Sequence, residues 1–343
     1  MRNSAGQAIT GPNGGPAGPA VRTETVRCFW HGSQLGPYQL MGMRSFVDQG
    51  HRVELFTYDP AIVVPGWIVR RDANEIWPTD RILTYQKDLG RGSFALHSNL
   101  FRYAMLHRLG GWWVDNDVVL LRPELPASDI FFCLEPVAPM RATFSVLKFP
   151  AGHPALSECV DRCVAASDSP LYGETGADLF TEIVARHRLV PHGQAMDTTY
   201  PLSALDVPAM FDPSERERLD ALCATSTFVH LFNETWRRAG IPHYLGPPAG
   251  SFIDDVLRRH GFEAPLPRME LDHVKRWTAY LTLHQEFQAG QRAYRLANEE
   301  LQKKISVLER DNQQSMRAAL RVQIRKIPFL HRSLRFILRA VGR

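Results

Sequence analysis

The run Gly110-Gly111-Trp112-Trp113-Val114-Asp115-Asn116-Asp117-Val118-Val119 decides how this chain is read. A short apolar strand is followed by two carboxylates one residue apart. In an extended or tightly turning segment, residues i and i+2 point the same way. A rigid strand end can therefore present Asp115 and Asp117 to one divalent cation. Hard oxygen ligands suit Mg²⁺ or Mn²⁺, and such sites keep positions for water and substrate phosphates. The competing reading is a solvated turn, which Asp and Asn also favour. The residues upstream weigh against it. Ser98 to Gly110 has helical character, with Ser98 as N-cap and Gly110 and Gly111 as the stop. Asn99 and Arg102, at i and i+3, share one face of that helix. An Arg beside an acidic metal loop offers a fork donor for phosphate oxygens.

The run Ser98-Asn99-Leu100-Phe101-Arg102 followed by Gly110-Gly111-Trp112-Trp113-Val114-Asp115-Asn116-Asp117 resembles the DXD-containing sugar-binding region of glycosyltransferase family 32. The wider group includes the glucosylating domains of large clostridial toxins. The family pattern is S-D-x-x-R, a spacer, then G-G-x-Y-x-D-x-D. This chain departs from it twice: Asn99 stands where Asp is usual, and Trp113 where Tyr is frequent. An amide at 99 can still hydrogen-bond a sugar hydroxyl. The strong match covers roughly twenty residues, and weaker similarity runs from about residue 26 to about 245. The resemblance implies an α/β domain of the GT-A type, Rossmann-like and nucleotide-sugar-binding. It also implies a metal-dependent transfer that retains the anomeric configuration.

Periodicity gives the same fold class. Val26, Cys28 and Trp30 alternate with Arg27 and Phe29 as a strand. A helix covers Gly36 to Gln49 and ends at Gly50. A second strand holds Val53, Leu55 and Thr57, and a third covers Gly66 to Arg70. Strand–helix–strand at this spacing predicts a parallel sheet with ligand at the strands' carboxyl ends. Further strands are expected over Ile130–Glu135 and Arg141–Lys148. Residues 1–24, rich in Gly, Pro and Ala, read as a disordered leader. The main domain is expected over 25–270 and a helical extension over 271–343.

Several residues acquire roles through the resemblance. Phe29-Trp30-His31-Gly32 looks like the family's first strand end, so Trp30 is the candidate for stacking on the base; a core tryptophan is the alternative. His31 and Ser33 lie near the expected diphosphate, and Asp59 and Asp72 end the next strands. Glu135 ends a strand and could face the donor sugar, or be a loop acid. Glu174-Thr175-Gly176-Ala177-Asp178 resembles the segment that opens a helix against the donor. Gly176 allows close approach of backbone, and Asp178 binds sugar hydroxyls or favours the helix dipole. Val229-His230-Leu231-Phe232-Asn233-Glu234-Thr235-Trp236 resembles the segment that closes over the diphosphate. His230 and Asn233 would join Asp117 on the metal, and Trp236 would shield it; His230 could instead be a structural histidine. The set of nucleotide-sugar contacts is thus Trp30, Asn99, Arg102, Trp113, Asp115, Gly176, Asp178 and Trp236.

Composition is that of a globular enzyme. A formal net charge of +4 over 343 residues does not suggest nucleic acid. No stretch approaches the ~20 apolar residues of a membrane span, and no apolar h-region suggests a signal peptide. Cys28, Cys133, Cys159, Cys163 and Cys223 lack CxxC pairing and read as reduced thiols of a cytoplasmic protein. From Trp277, Tyr280, Phe287, Tyr294, Leu301 and Leu308 recur every seven residues, a weak seam that would support a homodimer through 277–312. After Asp311 there is no acid. Arg317, Arg321, Arg325, Lys326, Arg332, Arg335, Arg339 and Arg343 interleave with Leu320, Ile324, Ile327, Leu334, Ile337 and Val341. That pattern suits a helix lying on anionic lipid, hence a peripheral place on the inner membrane face; packing on protein is the alternative.

The expected acceptor is a polysaccharide, oligosaccharide or glycolipid. A rival enzyme reading is a haloacid-dehalogenase-type phosphatase, with Asp115 as nucleophile, Asp117 as acid/base and Asp254-Asp255 as distal acids. A third is a non-catalytic carbohydrate-binding or scaffold protein.

Overall fold

The computed structural model describes residues 22–325 apart from 88–89, 138 and 167–169. The leader through residue 21 and the last part, 326–343, of the basic run after Asp311 therefore lie outside the described residues. The central sheet has five strands: β1 (Thr25–Phe29), β2 (Arg52–Thr57), β3 (Ile68–Asp72), β4 (Gly111–Val114) and β8 (Val146–Phe149). Their order is β3-β2-β1-β4-β8. The first four are mutually parallel and β8 runs antiparallel to β4. Helix α1 (Pro37–Asp48) makes the β1-to-β2 crossover, and α2 (Ala95–Leu109) leads into β4. This is the α/β, Rossmann-like architecture with a mostly parallel sheet that the sequence predicts. Strand order reverses between β1 and β4. A crevice for ligands opens beside the carboxyl ends of the strands at such a point.

Alternation sorts the buried side chains of the strands into two cores. Val26, Cys28 and Trp112 pack with Phe46 and Phe228 on one side. Phe29 and Trp113 pack with Phe101, Leu147 and Phe180 on the other. Helices α3 (Pro154–Ala165) and α4 (Ala177–Arg186) complete the second layer, and Cys159 and Cys163 are buried there as free thiols.

Two small sheets follow. Strand β5 (Val118–Leu120) pairs antiparallel with β10 (Phe228–His230). Strand β6 (Cys133–Glu135) lies between β7 (Arg141–Ala142) and β9 (Gln194–Ala195). Short helices α5 (Met196–Thr199), α6 (Val207–Met210), α7 (Arg216–Cys223), α8 (Asn233–Ala239) and α9 (Phe252–Arg259) lead to α10 (Leu271–Arg325).

Some boundaries differ from expectation for identifiable reasons. Helix α2 begins at Ala95 and not after Ser98, with Phe94 at the N-cap position and Ser93 Oγ accepting from the Ala95 amide at 3.2 Å. The strand expected over 141–148 is split. The Ser145 carbonyl accepts from the Asp115 amide at 2.8 Å, and the Phe144 carbonyl accepts from Arg102, so this backbone serves the loop after β4. The strand expected over 130–135 keeps only an isolated bridge, Phe131 to Lys148, before β6. The chain divides after Thr278 into two units. The first turns of α10 belong to the first unit, where Val274 is buried and Trp277 meets Phe211 edge-on. Among the described residues no helix is long and apolar enough to cross a membrane.

Candidate active site

The site is built where β4 ends. Gly110 and Gly111, both at positive φ, release the chain from α2 into the strand. After Val114 the chain turns through Asp115-Asn116-Asp117, with the Val118 amide donating to the Asp115 carbonyl at 3.1 Å. Asn116 points its amide back at the neighbouring strand, and Nδ2 donates to the Phe29 carbonyl at 2.8 Å. The loop is thus tied to the end of β1, beside Trp30. Strand β10 pairs with β5 so that His230 lies opposite Val118. Asp115, Asp117 and His230, each half-buried, consequently each offer a ligand atom within 4.8 Å of the others'.

One oxygen of Asp115 is saturated. Oδ1 accepts from Arg102 Nη2 at 2.7 Å and from Trp113 Nε1 at 2.7 Å. Both are short, charge-assisted bonds. Arg102 is itself buried, with its guanidinium 4.4 Å from the Phe144 ring centre and 5.0 Å from that of Trp113. Its Nη1 donates to the Phe144 carbonyl at 3.0 Å. The guanidinium expected to grip phosphate oxygens is therefore engaged as a brace on Asp115. Burial pushes the Asp115 carboxyl above its usual range, with nearby Asp117 adding to this and Arg102 opposing it.

Asp117 is held from another direction. Oδ2 accepts from the Asn233 amide at 2.7 Å and lies 3.2 Å from His230 Nε2. Burial raises its pKa, but the His230 charge and hydrogen bond, with the Asn233 amide, outweigh burial and hold it below the usual value. For His230 burial works downward, yet Asp117 prevails and raises it. Asn233 Oδ1 is buried with no partner among the described residues. Two carboxylates and an imidazole, their ligand atoms within 4.8 Å of one another, make a donor set that could hold a divalent metal ion.

Other predicted residues fall in different places. Trp30 is half-exposed just past β1, with Nε1 donating to the Gln34 carbonyl at 3.0 Å. Asn99 is buried, with Nδ2 3.4 Å from both Tyr85 Oη and Thr175 Oγ1. Gly176 caps α4 at a crowded spot, where a Cβ would come within 2.9 Å of the Phe144 ring and 3.1 Å of Asn99 Nδ2. Its smallness serves packing around Asn99 and Phe144. Asp178 is exposed in the first turn of α4. Trp236 has no exposed surface and packs on Phe211 and Tyr38. It fills a core in place of the expected shield, because two aromatic rings bury its full area there. Asp59 and Asp72 cap turns, accepting from the Ala61 and Asn74 amides. His31 packs against Phe94. Glu135 ends β6 in the separate three-stranded sheet. Asp254 is ion-paired with Arg268 at 2.6 Å, and Asp255 with Arg216 at 2.8 Å, so these acids are neutralised by partners of their own.

Three residues of this neighbourhood carry no sequence signal beyond position. Asn116 stands between the two acids. Ser145 supplies a carbonyl to Asp115, and its hydroxyl meets Tyr200, whose ring lies edge-on to His230 at 5.7 Å.

Among solved structures the chain is similar to PaToxG Glycosyltransferase, at 12% identity over 69% of this chain and 86% of that one, with a TM-score of 0.38. It is also similar to a transferase carrying two cysteine-to-serine substitutions, at 13% identity over 50% and 88% of the two chains, with a TM-score of 0.30. Likeness at this level carries no argument about chemistry. No protein-family profile and no curated protein matches the chain.

Proposed function

We propose that this chain is a metal-dependent glycosyltransferase that moves a hexosyl group from a nucleotide sugar, a UDP-sugar in our reading, to a glycan or glycolipid acceptor. The observation that carries this is the convergence of Asp115, Asp117 and His230 after β4, at the reversal point of a mostly parallel sheet. Asp115 through its free oxygen, Asp117, His230 and Asn233 would hold Mn²⁺ or Mg²⁺. Such an ion, when bound, supplies positive charge against the leaving diphosphate. In the transfer the bond from the anomeric carbon to the diphosphate oxygen breaks. A bond to the acceptor oxygen forms, and the acceptor's proton leaves. Retention of configuration is what the family resemblance implies.

The chain's own residues do the positioning. Arg102 and Trp113 fix the orientation of Asp115, and Asn116 fastens the loop to β1. Trp30 offers an aromatic face to the base next to that loop, and Asn99 and Asp178 are candidates for the sugar side. The basic run after Asp311, residues 312–343, would hold the enzyme on an anionic membrane surface, close to a lipid-linked or surface polysaccharide acceptor.

The phosphatase reading needs Asp115 as an unencumbered nucleophile and further acids on the metal. Asp115 Oδ1 carries two donors, and Asp254 and Asp255 are committed to arginines. The test is a thermal-shift screen of UDP- and GDP-sugars with Mn²⁺, followed by donor hydrolysis. A melting shift with one nucleotide sugar and release of its sugar are expected. Hydrolysis of an aryl phosphate with no response to any nucleotide sugar would favour the phosphatase.

A further inference from the structure

We propose that the second unit is a dimerisation helix, in which residues 294–316 of two copies of this chain form a parallel, in-register coiled coil. The described part of this unit is one helix, the continuation of α10 to Arg325. Tyr294, Leu301 and Leu308 recur every seven residues along it and are 75%, 54% and 66% exposed. A single amphipathic helix in water has no core of its own, and helical stability in proteins comes mostly from packing such a face. A repeat of seven, not of eleven, selects a left-handed two-helix supercoil.

The phase of the repeat decides what that seam contains. With Tyr294, Leu301 and Leu308 at position a, position d would hold Ala297, Lys304 and Asp311, which buries two charges per helix. With the same three residues at d, position a holds Asn298, Ile305 and Asn312. The second phase avoids the buried charges. Asn at a lowers stability but pairs well only with itself, so Asn298 and Asn312 specify two strands, parallel and in register. The flanks agree: Lys304 at g then faces Glu309 of the partner subunit at e, twice by symmetry. Within one chain Lys304 pairs with Glu300 at 2.8 Å, but both are about two-thirds exposed, so that pair is weak and readily exchanged. Glu300, Glu309 and Asp311 disfavour an anionic lipid surface as the occupant of this stretch.

The test is sedimentation equilibrium of the full chain, the variants and a cross-link. A reversible dimer is expected. Lys304→Glu should weaken it about tenfold, by setting two like-charged pairs across the seam. Lys304→Glu with Glu309→Lys should restore it. Leu301→Asp with Leu308→Asp should give a monomer whose first unit melts as before, since both side chains are exposed. The described native cysteines are buried, so an added Asn298→Cys should form an interchain disulfide on mild oxidation. A monomer at every concentration, a dimer indifferent to Leu301→Asp/Leu308→Asp, or a dimer that does not cross-link at 298 overturns the proposal.

Discussion

Replacing Trp113 by Phe tests whether Asp115 is a metal ligand oriented by its neighbours. The substitution removes one hydrogen bond, from Nε1 to Asp115 Oδ1 at 2.7 Å. It keeps an aromatic ring beneath the Arg102 guanidinium, which lies 5.0 Å from the Trp113 ring centre. A hydrogen bond to a charged group contributes about 1.5–3 kcal/mol. Arg102 still holds the same oxygen, so the lower end applies to the freedom Asp115 regains. About 1.5 kcal/mol corresponds to roughly a tenfold loss of Mn²⁺ affinity, the lower edge of what such supporting contacts contribute at metal sites. The assay is titration of Mn²⁺ followed by the electron paramagnetic resonance of the free ion, in wild type and variant. Circular dichroism separates this from unfolding, because a smaller ring in the core lowers stability by about 1–3 kcal/mol without abolishing the fold. Unchanged or tighter Mn²⁺ binding by a folded variant would refute this, because the Trp113 hydrogen bond would then compete with the ion for Asp115 and not brace it.

Trp30→Ala should weaken nucleotide-sugar binding roughly tenfold, from ~1–1.5 kcal/mol for an aromatic stack, and calorimetric titration with the UDP-sugar would check it. His97 is fully buried, its Nδ1 accepting from the Leu83 amide at 3.4 Å and its Nε2 3.2 Å from Tyr58 Oη, and burial lowers its pKa to about 4. The unfolded chain then binds this proton more tightly, so stability is full above about pH 6.5 and falls as pH drops towards 4, by about 3 kcal/mol. Urea titrations from pH 7 to 4 should show that fall, and His97→Gln should blunt it. Removing residues 312–343 should release the protein from anionic vesicles at low salt while leaving donor hydrolysis nearly unchanged, as read by vesicle sedimentation.

What was legible in the sequence was local. The alternation of Val26 and Cys28, the stop at Gly50 and the glycines at 110 and 111 are short-range signals, and the parallel sheet follows from them. The Asp-x-Asp turn at the end of an apolar strand was equally readable. What was not legible depends on partners far along the chain. His230 is legible only through the family resemblance, since it reaches the carboxylates by the pairing of β10 with β5, a register that no spacing encodes. Arg102 reads as a free phosphate fork until the Phe144 carbonyl and Asp115 are seen to occupy its two Nη atoms. Trp236 sits in a sequence context that suggests a lid, and Phe211 and Tyr38 draw it into the core. Ser98 falls inside α2, whose N-cap position is Phe94 with no side-chain cap, so its hydroxyl has no helix terminus to serve. The polar cluster of Asn99, Tyr85 and Thr175 joins three segments and has no linear signature at all.

The central claim is that Asp115, Asp117 and His230 hold a cation on which donor chemistry depends. The most direct measurement is hydrolysis of a UDP-sugar by the full chain in Mn²⁺ and in EDTA, with Asp117→Ala alongside. Turnover in Mn²⁺ is expected, with its loss in EDTA, recovery on adding Mn²⁺ back, and no turnover by a folded Asp117→Ala protein. Equal turnover in Mn²⁺ and EDTA, or an active Asp117→Ala enzyme, would contradict it.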